Sequence, residues 1–200
     1  MARLARAFPR TAVDAGTGDG RYPLHVARTR ADTLAIGLDA SADALAFAAR
    51  RAMRERLPNL VLLREPAEGI PLESFADEVT IHFPWGSLLR GALAEDESVF
   101  AAICRLPRPG GRLTMLLSVT AREGREPLTD EDRARVARAY RSRGLTLTEH
   151  RAVVRADVDA ARSSWGKRLD VGGTRPGELL RFVRGSAAAR APVPSLFDGR

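Results

Sequence analysis

Hydrophobic positions follow two alternating patterns along this chain. The first is a short apolar run of the kind that forms a buried strand. Such runs lie at residues 11–15, 33–38, 60–63, 79–83, 112–118, 145–154 and 178–184. The second is a longer amphipathic or Ala-rich stretch, which predicts a helix. These stretches lie at residues 19–28, 41–57, 96–106, 129–143 and 157–169.

The alternation of strand and helix predicts an α/β fold with a doubly wound, Rossmann-like sheet of seven strands. The sheet is expected to be mostly parallel, with helices on both faces and the last two strands as an antiparallel pair at one edge. Residues 1–184 then form one domain, and the Ala-, Pro- and Gly-rich residues 185–200 are expected to lack fixed structure. In such a sheet, ligands bind outside the carboxyl ends of the strands.

Composition excludes several classes of protein. No apolar run approaches the roughly 20 residues that a membrane-spanning helix needs, and the N-terminus does not resemble a secretory signal. One cysteine, Cys104, rules out an internal disulfide framework, and three histidines make a metal cluster unexpected. We therefore expect a soluble, cytoplasmic, monomeric protein without a metal.

The chain is strongly basic. Its 32 Lys and Arg residues against 25 Asp and Glu residues give a net charge of +7, and Lys167 is the one lysine. A basic protein favours anionic partners such as nucleic acid, membrane surfaces or phosphorylated ligands. A GC-rich genome would enrich arginine codons as well, so charge alone leaves the partner open.

A glycine-rich loop follows the first predicted strand directly. Gly16, Gly18 and Gly20 occupy alternate positions, where they allow a sharp turn and the close approach of a ligand to the backbone. The next helix begins there, and its free amides can bind polar or negative groups. Asp39 ends the second strand, where a carboxylate can accept hydrogen bonds from two ribose hydroxyls. This order of elements predicts a cofactor that contains a nucleoside.

The spacing of the glycines distinguishes between cofactors. A dinucleotide site has the pattern G-x-G-x-x-G, whereas this loop has G-x-G-x-G with Asp14 two residues upstream. That pattern resembles motif I of class I S-adenosylmethionine (SAM) methyltransferases. A tight turn without a ligand and a nicotinamide site remain the alternatives.

Both tryptophans of the chain lie where the predicted carboxyl edge of the sheet would be. Trp85 follows the fourth strand in a Phe-Pro-Trp-Gly segment, which we interpret as a stiff loop. Trp165 precedes the seventh strand in the segment Ser-Ser-Trp-Gly-Lys-Arg-Leu. Two tryptophans at one site could stack on both faces of a base, and enzymes that modify a base must extrude it from its helix. A core or loop-anchoring role is the alternative for each tryptophan alone.

Together, Gly-Thr-Gly-Asp-Gly-Arg, Phe-Pro-Trp-Gly-Ser-Leu-Leu-Arg-Gly and Ser-x-Trp-x-Lys-Arg-Leu resemble the aminoglycoside-resistance 16S ribosomal RNA (adenine-1408-N1) methyltransferases. The resemblance spans residues 11–169. It implies SAM on the glycine loop, Ser87 and Ser163 at the methionine end and pocket mouth, and the flipped adenine between Trp85 and Trp165. The residues it assigns to the cofactor are Asp14, Gly16, Thr17, Gly18, Asp19, Gly20, Arg21, Asp39, Ala40, Ala67, Glu68, His82, Phe83, Pro84, Trp85 and Ser87.

The resemblance also implies docking on the 30S subunit through basic residues. The second predicted helix carries Arg50, Arg51, Arg54 and Arg56, of which Arg50 and Arg54 share a face. Such a cluster can neutralise phosphates without reading bases, although a solvated helix face is the alternative. Weaker candidates in other segments are Arg122, Arg125 and Arg175.

The implied reaction needs alignment more than acid–base chemistry. Adenine N1 has an in-plane lone pair and the sulfonium methyl is a good electrophile, so proximity should supply most of the acceleration. We assign no general base, and Asp14, Asp19 and Glu68 are interpreted as structural or cofactor-binding groups. The family's usual N-terminal hairpin is not expected in the ten residues before residue 11. The alternatives are another RNA methyltransferase, such as a tRNA guanine-N7 enzyme, and an inactive SAM- or RNA-binding relative.

Overall fold

One mixed sheet organises the computed structural model, which describes residues 7–70, 72–120 and 126–186. Its strands are β1 (Arg10–Ala15), β2 (Thr33–Asp39), β3 (Leu60–Arg64), β4 (Ala76–His82), β5 (Pro107–Leu117), β6 (Leu145–Ala152) and β7 (Glu178–Arg184). The helices are α1 (Arg21–Thr29), α2 (Ala42–Glu55), α3 (Gly86–Ala92), α4 (Glu97–Arg105), α5 (Asp130–Ser142), α6 (Arg155–Ala160) and α7 (Ser164–Arg168), with a 3₁₀ turn at Ala67–Gly69.

The strand order is β3-β2-β1-β4-β5-β7-β6. The first five strands of the chain pair in parallel, and β7 lies antiparallel between β5 and β6. The predicted mostly parallel seven-stranded sheet with an antiparallel last strand is confirmed. The chain proceeds outward from β1 to β3 and then returns to the other side of β1 as β4. This reversal places a crevice at the carboxyl ends of β1 and β4.

Helices cover both faces of the sheet, as predicted. On one face, α3, α4 and α5 bury the larger core, where Tyr140 stacks on Phe182 with ring centroids 4.4 Å apart. The buried Tyr140 hydroxyl donates to the Ala92 carbonyl at 3.2 Å. The hydroxyl group is therefore not left in the core without a hydrogen-bond partner. On the other face, α1 covers Ala12 and Ala35, and α2 packs beside it. The cores hold the sheet rigid beneath its carboxyl edge.

The structure departs from the sequence prediction in both segments that carry a tryptophan. Residues 157–169 do not form one helix, because Arg162 adopts a left-handed conformation with φ 53° and separates α6 from α7. Phe83, Pro84 and Trp85 form a loop as predicted, but Gly86 already begins α3, a helix that the sequence pattern did not predict. Gly91 makes α3 hard to recognise in the sequence. A Cβ at this glycine would lie 2.3 Å from Val99 Cγ1, so the close packing of α3 on α4 requires it.

Side-chain caps fix the start of two helices. Ser41 caps α2 by accepting a hydrogen bond from the Ala44 amide at 3.2 Å, and Thr129 forms a capping box with Asp132 at the start of α5. The proposed unstructured tail falls mainly on residues 187–200, which lie outside the described residues. Among the helices that the structure describes, none is long and apolar enough to cross a membrane.

Candidate active site

The glycine loop is fastened to the end of β2. The amides of Gly16 and Thr17 both donate to the Leu38 carbonyl, at 2.9 and 2.8 Å. The amide of Gly18 donates to Asp39 Oδ2 at 2.7 Å. The three hydrogen bonds fix the loop against the strand that carries the candidate ribose-binding acid.

Gly18 and Gly20 have different structural roles in this loop. Both have positive φ values, 56° and 67°, which residues other than glycine rarely adopt. A Cβ at Gly20 would lie 2.4 Å from the Cβ of Ala48, so this glycine allows the loop to pack on α2. A Cβ at Gly18 would meet no heavy atom within 4 Å, because the residue faces open space in a cleft. Gly18 thus leaves room for a ligand, and Gly20 leaves room for a helix.

Buried polar groups support the loop from below. Asp14 is 4% exposed and accepts hydrogen bonds from the hydroxyls of Thr17 and Thr80, both at 2.6 Å. His82 Nδ1 lies 3.2 Å from Asp14 Oδ1, and its ring contacts the edge of Tyr22 at a centroid distance of 4.7 Å. Burial, reinforced by the charge of Asp14, raises the pKa of Tyr22 to about 12. The carboxylate of Asp14 is therefore a structural acceptor that orders the loop.

The cleft above the loop has a volume of about 520 Å³, within the range of roughly 300–1,000 Å³ for small-molecule sites. Asp39 lies in its wall, only partly buried, and its Oδ1 also accepts from the Ser41 amide at 2.9 Å. Each carboxylate oxygen has a second lone pair, so both remain able to accept from ligand hydroxyls. The cleft thus combines a polar end at Asp39 with an aromatic end at the tryptophans.

The Phe-Pro-Trp-Gly segment turns sharply out of β4. Phe83 has φ 51°, and its amide donates to the Leu116 carbonyl at 2.7 Å. Its ring is buried, whereas Trp85, two residues later, is 77% exposed. Trp85 therefore lines the cleft with most of its side chain open to solvent.

The second tryptophan is held by the capping of α7. Ser163 Oγ accepts from the Gly166 amide at 2.9 Å, which starts the helix just before Trp165. Ser164 Oγ donates to Asp19 Oδ2 at 2.9 Å and so ties this segment to the glycine loop, 145 positions away in sequence. Trp165 is 45% exposed in the same cleft, with the Arg168 guanidinium 5.6 Å from its ring centroid.

Direct packing joins the two tryptophan segments. A Cβ at Gly166 would lie 2.5 Å from Phe83 Cε2 and 3.1 Å from Val158 Cγ1. The Phe83 ring therefore rests on the backbone of α7 where only glycine allows that distance. Each neighbours a tryptophan, Trp85 two residues after Phe83 and Trp165 one residue before Gly166. The contact sets how the two segments are placed.

Most of the residues predicted for the site line this one cleft. They are Asp14, Gly16, Thr17, Gly18, Asp19, Asp39, Ala40, His82, Phe83, Pro84, Trp85, Ser87, Ser163 and Trp165.

Gly20, Arg21 and Glu68 do not line it. Gly20 packs on α2, and Arg21 turns outward to pair with Asp19 at 2.7 Å. Glu68 is exposed in the 3₁₀ turn that begins at Ala67, and the flanking residues Glu65 and Ile70 line the cleft instead.

Sequence reasoning missed several lining residues. They are Tyr22, Leu38, Glu65, Ile70, Leu88, Ala161, Arg162, Ser164 and Arg168, together with the unassigned Ala15 and Gly86. Ser164 and Arg168 belong to the Ser-x-Trp-x-Lys-Arg-Leu region, which is a signal that could have identified them. The others come from strand ends and turns with no sequence signature. Among the described residues, no group of three or more His, Cys, Asp or Glu side chains could hold a metal ion.

The arginines predicted to dock on the 30S subunit differ in their exposure and in their contacts with the rest of the protein. Arg50, Arg54 and Arg56 are exposed at the C-terminal half and end of α2, whereas Arg51 lies 3.4 Å from Glu55. Arg175 is half-buried and donates through Nε to Ser118 Oγ at 2.8 Å. It is therefore engaged with the body of the protein. Arg122 and Arg125 lie outside the described residues.

The sheet order, the glycine loop at its reversal point and the carboxylate at the end of β2 define a class I SAM-dependent methyltransferase. A sequence model of the NpmA family, 16S rRNA (adenine(1408)-N(1))-methyltransferase, matches residues 1–183. The chain belongs to this family.

Individual relatives agree with the family match. A 16S rRNA (adenine(1408)-N(1))-methyltransferase of Streptoalloteichus hindustanus is 31% identical over 180 residues, which cover 84% of each chain. The crystal structure of the enzyme of that name from Catenulisporales acidiphilia, solved with cosubstrate SAM, has a TM-score of 0.82 at 30% identity, covering 96% of this chain and 92% of that one. The structure of KamB, a 16S rRNA methyltransferase, has a TM-score of 0.81 at 28% identity, covering 92% of both chains. SAM is thus the cofactor of this protein, and the open space at Gly18 and the acceptor at Asp39 suit it.

Proposed function

We propose that this protein methylates N1 of adenine 1408 in the 16S rRNA of the 30S subunit, and so confers resistance to aminoglycosides such as kanamycin and apramycin. The observation that carries the proposal is that two exposed tryptophans share one cleft with the glycine loop and Asp39. A site for a small substrate would have little use for two indole rings at its open mouth. A base extruded from RNA needs such surfaces to replace the stacking that it loses.

SAM, when bound, supplies a methyl group on a sulfonium sulfur that a nitrogen lone pair can attack. The residues of the chain bind SAM and the adenine and align them. Asp39 is assigned to the ribose hydroxyls, and Gly18 to the approach of the cofactor to the backbone. Ser87 and Ser163 are assigned to the methionine end and the mouth of the cleft. Trp85 and Trp165 are assigned to the two faces of the adenine.

Methylation at N1 makes the adenine ring cationic, and a proton can leave its exocyclic amine for water afterwards. No general base is needed. Of the acids in the cleft, Asp14 is committed to two threonine hydroxyls, and Asp19 is engaged by Arg21 and Ser164. Alignment of the two reactants is therefore the main contribution of the protein to the rate.

Primer extension on 16S rRNA tests the reaction. N1-methyladenine cannot form a Watson–Crick pair, so reverse transcriptase should stop at one position in subunits treated with the protein and SAM. A stop at position 1408, together with growth of a susceptible bacterium on kanamycin and apramycin, is the expected result. Methylation of tRNA instead, or SAM binding without any transfer, would contradict the proposal.

Asp39→Ala is expected to weaken SAM binding at least tenfold. The substitution removes the acceptor for the ribose. It also leaves the Gly18 amide without its acceptor, since in the unsubstituted protein this amide donates to Asp39 at 2.7 Å. Isothermal titration with SAM measures the effect, and Asp43→Ala, an exposed acid in the first turn of α2, is the matched control. Equal affinity of the two variants would show that Asp39 is not the ribose acceptor.

Reversing charge at Arg50 and Arg54 is expected to weaken binding to the 30S subunit at least tenfold and to leave SAM affinity unchanged. Both side chains are exposed on one face of α2, away from the cleft lining, so they can reach phosphates without a role in the cofactor site. Subunit binding at fixed ionic strength measures the effect for Arg50→Glu with Arg54→Glu. Wild-type affinity would exclude α2 as a docking surface.

A further inference from the structure

A second concave surface adjoins the active-site cleft on the side of α1 and α2. We call it the basic groove; it has a volume of about 400 Å³ and is lined by Arg21, Leu24, His25, Arg28, Phe47, Arg51, Arg162, Ser164 and Lys167. Five of these nine side chains are arginine or lysine, and none is acidic. A concave surface with one sign of charge concentrates counter-ions of the opposite sign.

The cations of the basic groove are held in place by groups behind it. The guanidinium carbons of Arg21 and Arg51 lie 5.0 and 5.7 Å from the centroid of the Phe47 ring. Arg28 makes two hydrogen bonds of 2.6 Å with the carboxylate of Glu55. These contacts order the arginines before any ligand arrives, which lowers the entropic cost of binding.

The acids that order these cations stand outside the lining of the groove. Asp19 pairs with Arg21, Glu55 with Arg28 and Arg51, and Asp159 with Lys167 at 2.7 Å. Three acids pair with four of the five cations, so the groove together with its paired acids keeps an excess of positive charge. The surface presented to a ligand stays positive.

Arg162 connects the basic groove to the active site. It is exposed, it lines both the groove and the cleft, and it makes no ion pair with the described residues. Its φ of 53° places it at the break between α6 and α7, three residues before Trp165.

His25 lies within the groove, among several of these cations. Burial lowers the pKa of this imidazole, and the charges of Arg162, Arg30 and Arg28 lower it further. No acid contributes to that shift.

We propose that the basic groove seats the sugar–phosphate backbone of the rRNA strand next to the extruded adenosine. The proposal rests on the proposed function, because it takes the strand in the groove to be continuous with the base in the cleft. Arg162 and Ser164, which line both, mark where the strand passes from one to the other. The groove orients the strand at the base, whereas the arginines at the end of α2 attract the subunit from outside the cleft.

Single substitutions that remove one groove cation each test this assignment. The variants are Arg28→Gln, Lys167→Gln and Arg162→Asn, since asparagine tolerates a left-handed conformation. The control is Arg141→Gln, which removes an exposed charge from α5 on the opposite face of the sheet. Binding of 30S subunits is measured at salt concentrations from about 50 to about 200 mM.

Each groove variant should bind more weakly, and the slope of log affinity against log salt concentration should become shallower by about one, the amount expected for one lost phosphate contact. Arg141→Gln should keep the wild-type slope, and Arg28→Gln and Lys167→Gln should keep wild-type SAM affinity. Wild-type slopes in all three groove variants, or an equal change in Arg141→Gln, would overturn the proposal. A wild-type protein that binds subunits but leaves position 1408 unmethylated would contradict the proposed reaction instead.

Discussion

Trp85→Ala and Trp165→Ala are each expected to reduce methylation of 30S subunits by roughly 5- to 150-fold, because stacking of a base on an aromatic side chain is worth about 1–3 kcal/mol. The two side chains are 77% and 45% exposed, so their removal leaves no cavity in the core. The thermal midpoint should therefore change little. SAM affinity should stay close to wild type for Trp165→Ala, since Trp165 is assigned only to the base.

Conservative variants separate stacking from a general structural role. Trp85→Phe and Trp165→Phe retain an aromatic face and should recover much of the lost activity. Val154→Ala removes an exposed apolar side chain of 51% exposure that lies outside the cleft lining, and should have no effect. Near-normal turnover in both alanine variants would mean that the base is not held between these side chains.

Gly166→Val is expected to reduce methylation by at least tenfold and to lower the free energy of unfolding by about 1–3 kcal/mol. The first carbon of the new side chain would lie 2.5 Å from Phe83 Cε2, well inside van der Waals contact. The clash must move either the Phe83 ring or the start of α7. Each movement displaces a segment that carries a tryptophan. Single-turnover methylation and chemical denaturation measure the two effects.

A second substitution tests whether that contact is the cause. Phe83→Leu shortens the opposing side chain, so Gly166→Val should cost less in its presence than alone, which a double-mutant cycle resolves. Gly185→Ala is the control, because a Cβ there would meet only one atom, at 3.8 Å. Additive effects of the two substitutions would show that the Phe83–Gly166 contact does not align the site.

The glycine loop shows how far local sequence predicts a site. Each of its determinants acts within a few residues. Left-handed glycines, a strand that ends at the loop and an acid that ends the next strand are all recognisable without tertiary contacts. The same is true of the helix caps at Ser41 and Thr129, whose side chains bond to amides three residues away. Such features can be recognised in a sequence because their energies are local.

The tryptophan segments show where that approach fails. Their sequences identify the aromatic groups but not the break at Arg162, the helix that starts after Trp85, or the contact between Phe83 and Gly166. The resemblance assigned Glu68, whereas Glu65 lines the cleft in the structure, since which side of a short turn faces a cleft depends on what packs against it. The sequence by itself determined the order of elements, the class of cofactor and the identity of the aromatic groups, because these follow from local periodicity and chemistry. Only the tertiary structure decided which residues share the cleft and that five cations from three segments line one groove, because contacts such as Ser164 with Asp19 join positions 145 residues apart.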